Sequence, residues 1–505
     1  MVENKLKNLK WLLTTTYFVF MVVYLLIRDV TPLYFLISHP ALSVIIFAVG
    51  FAIIVWDLLT DANCIKGRPV DFFAAFIVIC VISSIINYKY GVAGNIKCIG
   101  AMVLEYFVFF SVGAGKDRKK MLRVVLNALI IALFILIFIS VLMYIFSVDY
   151  TVNYRGERVD QGYDTTYGRL WGVFIDPNAI CYIALVSFFA SFYFMYAYRK
   201  IWAYVLYGVN ALFQMLFIML SVSRSALLIM VAIPIVSAIY PIFTFIKANF
   251  KKAICSLIVT ILMSGMLYGI YQGLNFGTPY VKYAVMYCVG NQGRETIVDA
   301  FDNFYVFSGT PILNQKENHV ENPKEEVKPE VEEIVRKDEK EDISNGRFAR
   351  WKGGWEVFKT TPIFGTSPRN AVEIAKERTP DTVMGKYGWI THCAYLEVLV
   401  NSGILGALAL MGSFIYIAVL FLKSALKKAF SFHTYIVFLA FLIVAAGIFF
   451  ISDVFFVFTL NSLLFLFLMG YLFGWSDHSD NSILYGAYCA IKRRFSDEKS
   501  SDIRG

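Results

Sequence analysis

A chain of 505 residues that is 58% hydrophobic and 17% aromatic, only 16% charged, with mean hydropathy +0.63, lies far outside the balance of a soluble globular protein. The formal net charge of +9 does not point to nucleic acid, because Lys and Arg sit mostly in short loops and tails beside apolar runs, where they report topology. The 8 Cys are scattered without CxxC spacing and read as packing residues, not as a metal site or a disulfide framework.

In chain order, apolar runs near 11–27, 33–56, 70–87, 98–113, 121–147, 168–196, 201–220, 225–244, 253–272, 392–422, 432–450 and 453–474 are each close to the length that crosses a bilayer. They predict an all-α integral membrane protein with about twelve transmembrane helices and one large extracytoplasmic loop carrying amphipathic helices. Lys5, Lys7 and Lys10 place the N-terminus in the cytoplasm, and alternation then puts every strongly basic short loop, and the tail with "IKRRF" (491–495), on that same side. Five regions follow: a five-helix region 1–147, a membrane region 148–272, the large loop 273–391, a three-helix region 392–475 and a cytoplasmic tail 476–505.

Within the large loop, 317–342 has two prolines, no aromatics and an acidic excess, which predicts a disordered or loosely helical insertion. After it, "SNGRFARWKGGWEVFKTTPIFG" (344–365) sets Phe348, Trp351, Trp355 and Phe358 at i, i+3, i+7 and i+10. That spacing predicts a helix at the outer membrane interface, with Arg347, Arg350 and Lys352 nearby and Pro362 as its stop.

Ionisable groups near a span are costly, so their positions carry information. The first five spans hold few, Glu105 being the main one in the interior. From there on, Arg169, Asp176 and Asn178 in "GRLWGVFIDPNAICYIAL" (168–185), Arg224 in "LSVSRSALL" (220–228), Arg347, and His392 with Glu397 all fall at outward-facing ends, which predicts one polar site roofed by the loop. For each the plainer reading is structural: snorkelling arginines, an Asp176–Asn178 helix cap beside Pro177, a packed histidine. Forked arginine donors suit a phosphorylated lipid, and a diphosphate leaving group needs cations and one base rather than a protonating acid. His392, with an unperturbed pKa near ~6.5, can be that base. No nucleotide-binding motif, no metal-ligand cluster and no cofactor signature is present in the sequence.

"GRLWGVFIDPNA" (168–179), "SVSRSALL" (221–228), "GRFARWKGGWEVFKTTPIFGTS" (346–367) and "THCAYLEVLVNSGILGALAL" (391–410) resemble, in this order, the recurring segments of the bacterial O-antigen ligase and polysaccharide polymerase superfamily. The resemblance covers roughly 150–425. It implies transfer of glycan from an undecaprenyl-diphosphate carrier to a hydroxyl acceptor on the outer face of the bacterial cytoplasmic membrane, without a metal. By motif it implies His392 as base, Arg224 and Arg347 as diphosphate ligands, Arg169 as a further contact, and Asp176, Asn178, Trp351 and Glu397 as supporting residues. Cys393 departs from the Asn or similar polar residue that usually follows the histidine, which bears on the ligase role more than on the fold. The favoured expectation is a polymerase of capsular or exopolysaccharide repeat units, with lipid-linked glycan, membrane lipid and other polysaccharide-assembly proteins as partners. The alternatives are a ligase acting on a lipid or protein acceptor and, from a different class, a transporter or flippase. Gly403 and Gly406 in "NSGILG" are expected to permit close helix packing.

Overall fold

The structure, a computed structural model, describes residues 2–37, 39–154, 157–164, 168–237, 250–307, 312–315, 346–428, 431–477 and 481–502. The acidic stretch 317–342 lies outside them. Among the described residues ten helices are long and apolar enough to cross a membrane, and two shorter apolar helices, Arg224–Val236 and Leu460–Trp475, complete the set of twelve expected from the sequence. Many large apolar side chains on these helices face outward, as Leu59, Ile85 and Ile201 do, which is where a bilayer would meet them.

The sidedness read from the basic loops is consistent with the contacts. Segments expected to share one face do meet: Lys10 pairs with Asp57 at 2.6 Å, Lys428 with Asp477 at 2.7 Å, and a backbone bridge joins Gly67 to Asn481. At the opposite end Val30 bridges to Phe174 and Arg369 pairs with Asp453 at 3.2 Å.

Three boundaries differ from the sequence reading. The sixth span starts at Pro177 rather than 168, because Asp176 caps it by accepting from Asn178 N and proline suits the first helical turn. The last span starts at Leu460, where Thr459 and Ser462 form a capping box. The helix expected to leave the membrane near 272 runs on from Phe250 to Phe307, with Pro279 inside it and a kink at Gly290, so the large loop begins as helix.

The end of the bundle opposite Lys10 also carries a small sheet that hydropathy did not reveal. Strands β1 (Asp149–Tyr154), β2 (Glu157–Asp164), β3 (Arg169–Gly172) and β4 (Ile312–Gln315) pair in the order β3-β2-β1-β4, antiparallel throughout. Its signal was the alternation of Tyr150, Val152 and Tyr154, a period of two lost between long apolar runs. Tyr305, near the end of the Phe250–Phe307 helix, packs 5.2 Å from the Tyr150 ring and donates to Gln161 Oε1 at 3.1 Å. Tyr150 donates in turn to Asp302.

The tenth expected span, Ala394–Lys427, is broken at Gly403, whose φ of 65° leaves the helical region. A break inside an apolar helix frees backbone groups that lipid cannot satisfy. Here the segment after Pro362 supplies the partners: Thr366 N and Ser367 N donate to Val400 O and Asn401 O at 2.9 Å each, and Ile404 N donates to Pro362 O at 2.8 Å. Ser83 and Asn87 of the Pro69–Ile86 helix donate to Gly365 O. A Cβ on Gly403 would stand 2.3 Å from Ile363 O, so this glycine serves backbone approach rather than the packing of helix on helix.

Candidate active site

The helix Arg347–Thr360 lies at the end of the bundle that holds the Arg369–Asp453 pair, packed against the Ala394–Lys427 helix. It turns Gly353, Gly354 and Val357 inward, with Gly354 against Thr391 and Val400. The aromatic residues flank that contact rather than form it, and Phe348 and Trp355 are exposed. Because two glycines allow the close approach, Arg347 and Arg350 of the first turn are carried beside the 389–393 segment.

There the guanidinium of Arg347 sits 4.9 Å from the centre of the Phe450 ring, and that of Arg350 sits 4.8 Å from Trp389. Neither has a carboxylate partner within ion-pair distance among the described residues. Stacking on aromatic faces orients a cation yet leaves its N–H donors available for an anion. Trp351 packs edge-on to Phe449 with ring centres 5.4 Å apart, and its buried Nε1 donor has no partner among the described residues.

His392 is half-buried and adopts φ 47°, the left-handed region that non-glycine residues enter at a cost of about 1–2 kcal/mol. The Thr391 hydroxyl donates to Cys393 O across the bend at 3.3 Å, and Ala394 then starts the membrane helix. Burial holds the imidazole below its ordinary pKa, Arg350 and Arg347 push the same way, and Asp176 and Asp453 act against them. The outcome favours neutral imidazole, the form that can accept a proton. Cys393 occupies the N-cap position of the Ala394–Lys427 helix without a side-chain cap hydrogen bond. The departure at Cys393 therefore weakens a helix cap rather than removing a reacting group.

The remaining expected residues lie at the same end of the bundle in a different environment. Arg169 on β3 is buried, and its Nε donates to Ser221 O at 3.0 Å while Nη2 donates to Asn178 Oδ1 at 2.9 Å. Ser223 donates to the same Asn178 oxygen at 3.0 Å, so Asn178 links β3 to the 221–223 turn. Asp176 is the helix cap already described, although its charge also acts on His392. Arg224 is exposed at the start of the Arg224–Ser237 helix. Next to it Ser225 shares a hydrogen bond of 2.7 Å with Tyr182. Tyr182 in turn lies against Gly447, three residues before the Phe450 that carries Arg347. Glu397 is held by Asp453, its Oε2 accepting from Asp453 N at 2.6 Å.

Sequence reasoning had named Arg347 but gave no role to Arg350, three residues on and therefore on the same helix face. It also missed the Arg369–Asp453 pair, which joins positions 84 apart and leaves no local signal.

The family model described as O-antigen ligase matches residues 209–411. Over that stretch, about two-fifths of the chain, the match supports an assignment to the O-antigen ligase and polymerase superfamily. The match takes in Arg224, Arg347, Arg350, His392 and Glu397, and leaves Arg169, Asp176, Asn178 and Asp453 outside. No curated protein matches the chain. The family match and the ten membrane-length helices together support a multi-pass membrane protein of a glycan-transferring kind that acts on lipid-linked glycan. The transporter reading is set aside on that ground.

Proposed function

We propose that the protein is a polymerase that joins oligosaccharide repeat units carried on undecaprenyl diphosphate, on the outer face of the cytoplasmic membrane, with both termini in the cytoplasm. The observation that carries this reading is the juxtaposition of Arg347 and Arg350, both without carboxylate partners among the described residues, with a His392 held toward its neutral form.

In this reaction an acceptor glycan hydroxyl attacks the anomeric carbon of the lipid-linked sugar, and His392 takes the hydroxyl proton. The bond from the anomeric carbon to the phosphate oxygen breaks, and the diphosphate leaves with the bonding electrons. Arg347 and Arg350, with Arg224 from the neighbouring helix, neutralise the departing charge. The products are one new glycosidic bond and undecaprenyl diphosphate, and the proton on His392 returns to solvent. Arg169, Asp176 and Asn178 hold the 221–223 turn, and through it Arg224, in position. Trp351 offers its indole N–H to the diphosphate or to a sugar oxygen.

The family description favours a second reading, a ligase that moves a finished glycan onto a lipid or protein hydroxyl. Purified protein incubated with undecaprenyl-diphosphate repeat units should give a ladder of products spaced by one unit. A single adduct, formed only when a separate acceptor is added, would replace the polymerase with the ligase.

A further inference from the structure

Behind the 391–393 bend lies a cavity of about 60 Å³, between the short helix Ala371–Arg378 and the start of the Ala394–Lys427 helix. Its walls differ in character. Val372 and Met384 form part of an apolar side, while Arg369, Thr391, Glu397 and Asp453 contribute a polar one.

The polar wall is built, not incidental. Glu397 is 7% exposed, and its Oε2 holds the backbone N–H of Asp453, a residue at φ 60°. Asp453 accepts from Arg369 Nη1 with both carboxylate oxygens, at 3.2 and 3.4 Å. The backbone N–H of Arg369 is fixed by Asn95 Oδ1 at 2.9 Å. The cavity thus presents one cation and two carboxylates in a hydrogen-bonded frame beside an apolar face. The Asp453 carboxylate disfavours a diphosphate, and its pairing with Arg369 disfavours a metal ion. A sugar edge fits: hydroxyls meet charged donors and acceptors, and ring C–H groups meet Val372 and Met384. The volume suits one ring edge and not a whole repeat unit.

The cavity also adjoins the base. Thr391, in its wall, precedes His392, and Asp453, also in its wall, acts electrostatically on the imidazole. Arg347 and Arg350, on the Arg347–Thr360 helix, also act electrostatically on that imidazole. We infer that this cavity is the acceptor-sugar subsite, which brings a glycan hydroxyl to His392 from the side opposite the diphosphate arginines. The inference rests on the proposed glycan transfer and adds the location and chemistry of the acceptor.

Val372→Trp in the full chain, reconstituted in lipid nanodiscs, fills the cavity and leaves Arg347 and Arg350, which do not line it, unaltered. The free oligosaccharide released from the lipid-linked repeat unit by mild acid serves as acceptor, and undecaprenyl diphosphate serves as the probe of the carrier site. The expected result is a rise of tenfold or more in acceptor KM, with the thermal shift induced by undecaprenyl diphosphate unchanged. An unchanged acceptor KM, or equal loss of the carrier shift, overturns the subsite. Glu397→Gln keeps an oxygen that accepts from Asp453 N and changes only the carboxyl to an amide, so it supplies the same comparison should the tryptophan variant fail to fold. Carrier binding without transfer to any glycan by the wild-type chain would overturn the functional reading, and the subsite with it.

Discussion

Two outer lobes hold the same kind of residue in opposite states. In the sheet lobe, Arg169 is buried and donates to Ser221 O and Asn178 Oδ1. In the helical lobe, Arg347 and Arg350 lie over aromatic rings, with no carboxylate beside them among the described residues. A cation bound by neutral protein oxygens in the dry interior fastens elements together, whereas stacked cations keep donors available for an incoming anion. Position at one end of the bundle does not distinguish the two states; hydrogen-bond partners do.

The largest expected effect tests whether the helical lobe is the reacting one. His392→Ala should lower turnover by about 10²–10⁴-fold, the range of a lost general base, with the protein still folded in the membrane. Normal turnover in a single-turnover assay would remove His392 from the chemistry. The contrast between lobes is sharpened by a pair of variants. Arg347→Gln should cost on the order of 10²–10³ in turnover with little change in melting temperature. Arg169→Met should instead lower the melting temperature, because Asn178 Oδ1 and Ser221 O lose a buried charged donor worth roughly 1.5–3 kcal/mol per bond. Equal thermal loss in both variants would erase the distinction.

The smallest effect concerns pH. The positive charge of Arg350 opposes protonation of His392, so Arg350→Gln should raise the imidazole pKa toward its ordinary value. The acid limb of kcat/KM then moves to higher pH, and the variant loses activity sooner on acidification than the wild type. A limb that stays in place would mean that His392 is not the group whose titration limits the reaction.

Hydropathy was enough to find the ten helices of membrane-crossing length and the two shorter apolar ones, because an apolar run is a local property of the chain. Positive-inside counting grouped the loop ends correctly by contact, since one missed span would have placed Lys10 and Asp57 at opposite ends. Arg347 and His392 were legible because membrane proteins make ionisable residues conspicuous. Less legible was whether a polar residue is satisfied. Arg169 and Arg224 look alike as letters, and only the fold shows that one is buried in hydrogen bonds while the other is exposed. The small sheet was hidden in part because one of its three pairings, β1 with β4, joins positions more than 150 apart. The Arg369–Asp453 pair was hidden for the same reason.

The hydrogen bonds between 362–367 and 400–405 have a consequence for how this architecture can vary. A loop that only covered a bundle could be exchanged between relatives as a cassette. Here the loop completes a transmembrane helix, replacing the backbone partners that the break at Gly403 removes. The smallest exchangeable module therefore runs from the Arg347–Thr360 helix through the first turns beyond Gly403. A chimera that changes the loop and keeps the host's helix would leave bare amides facing hydrocarbon.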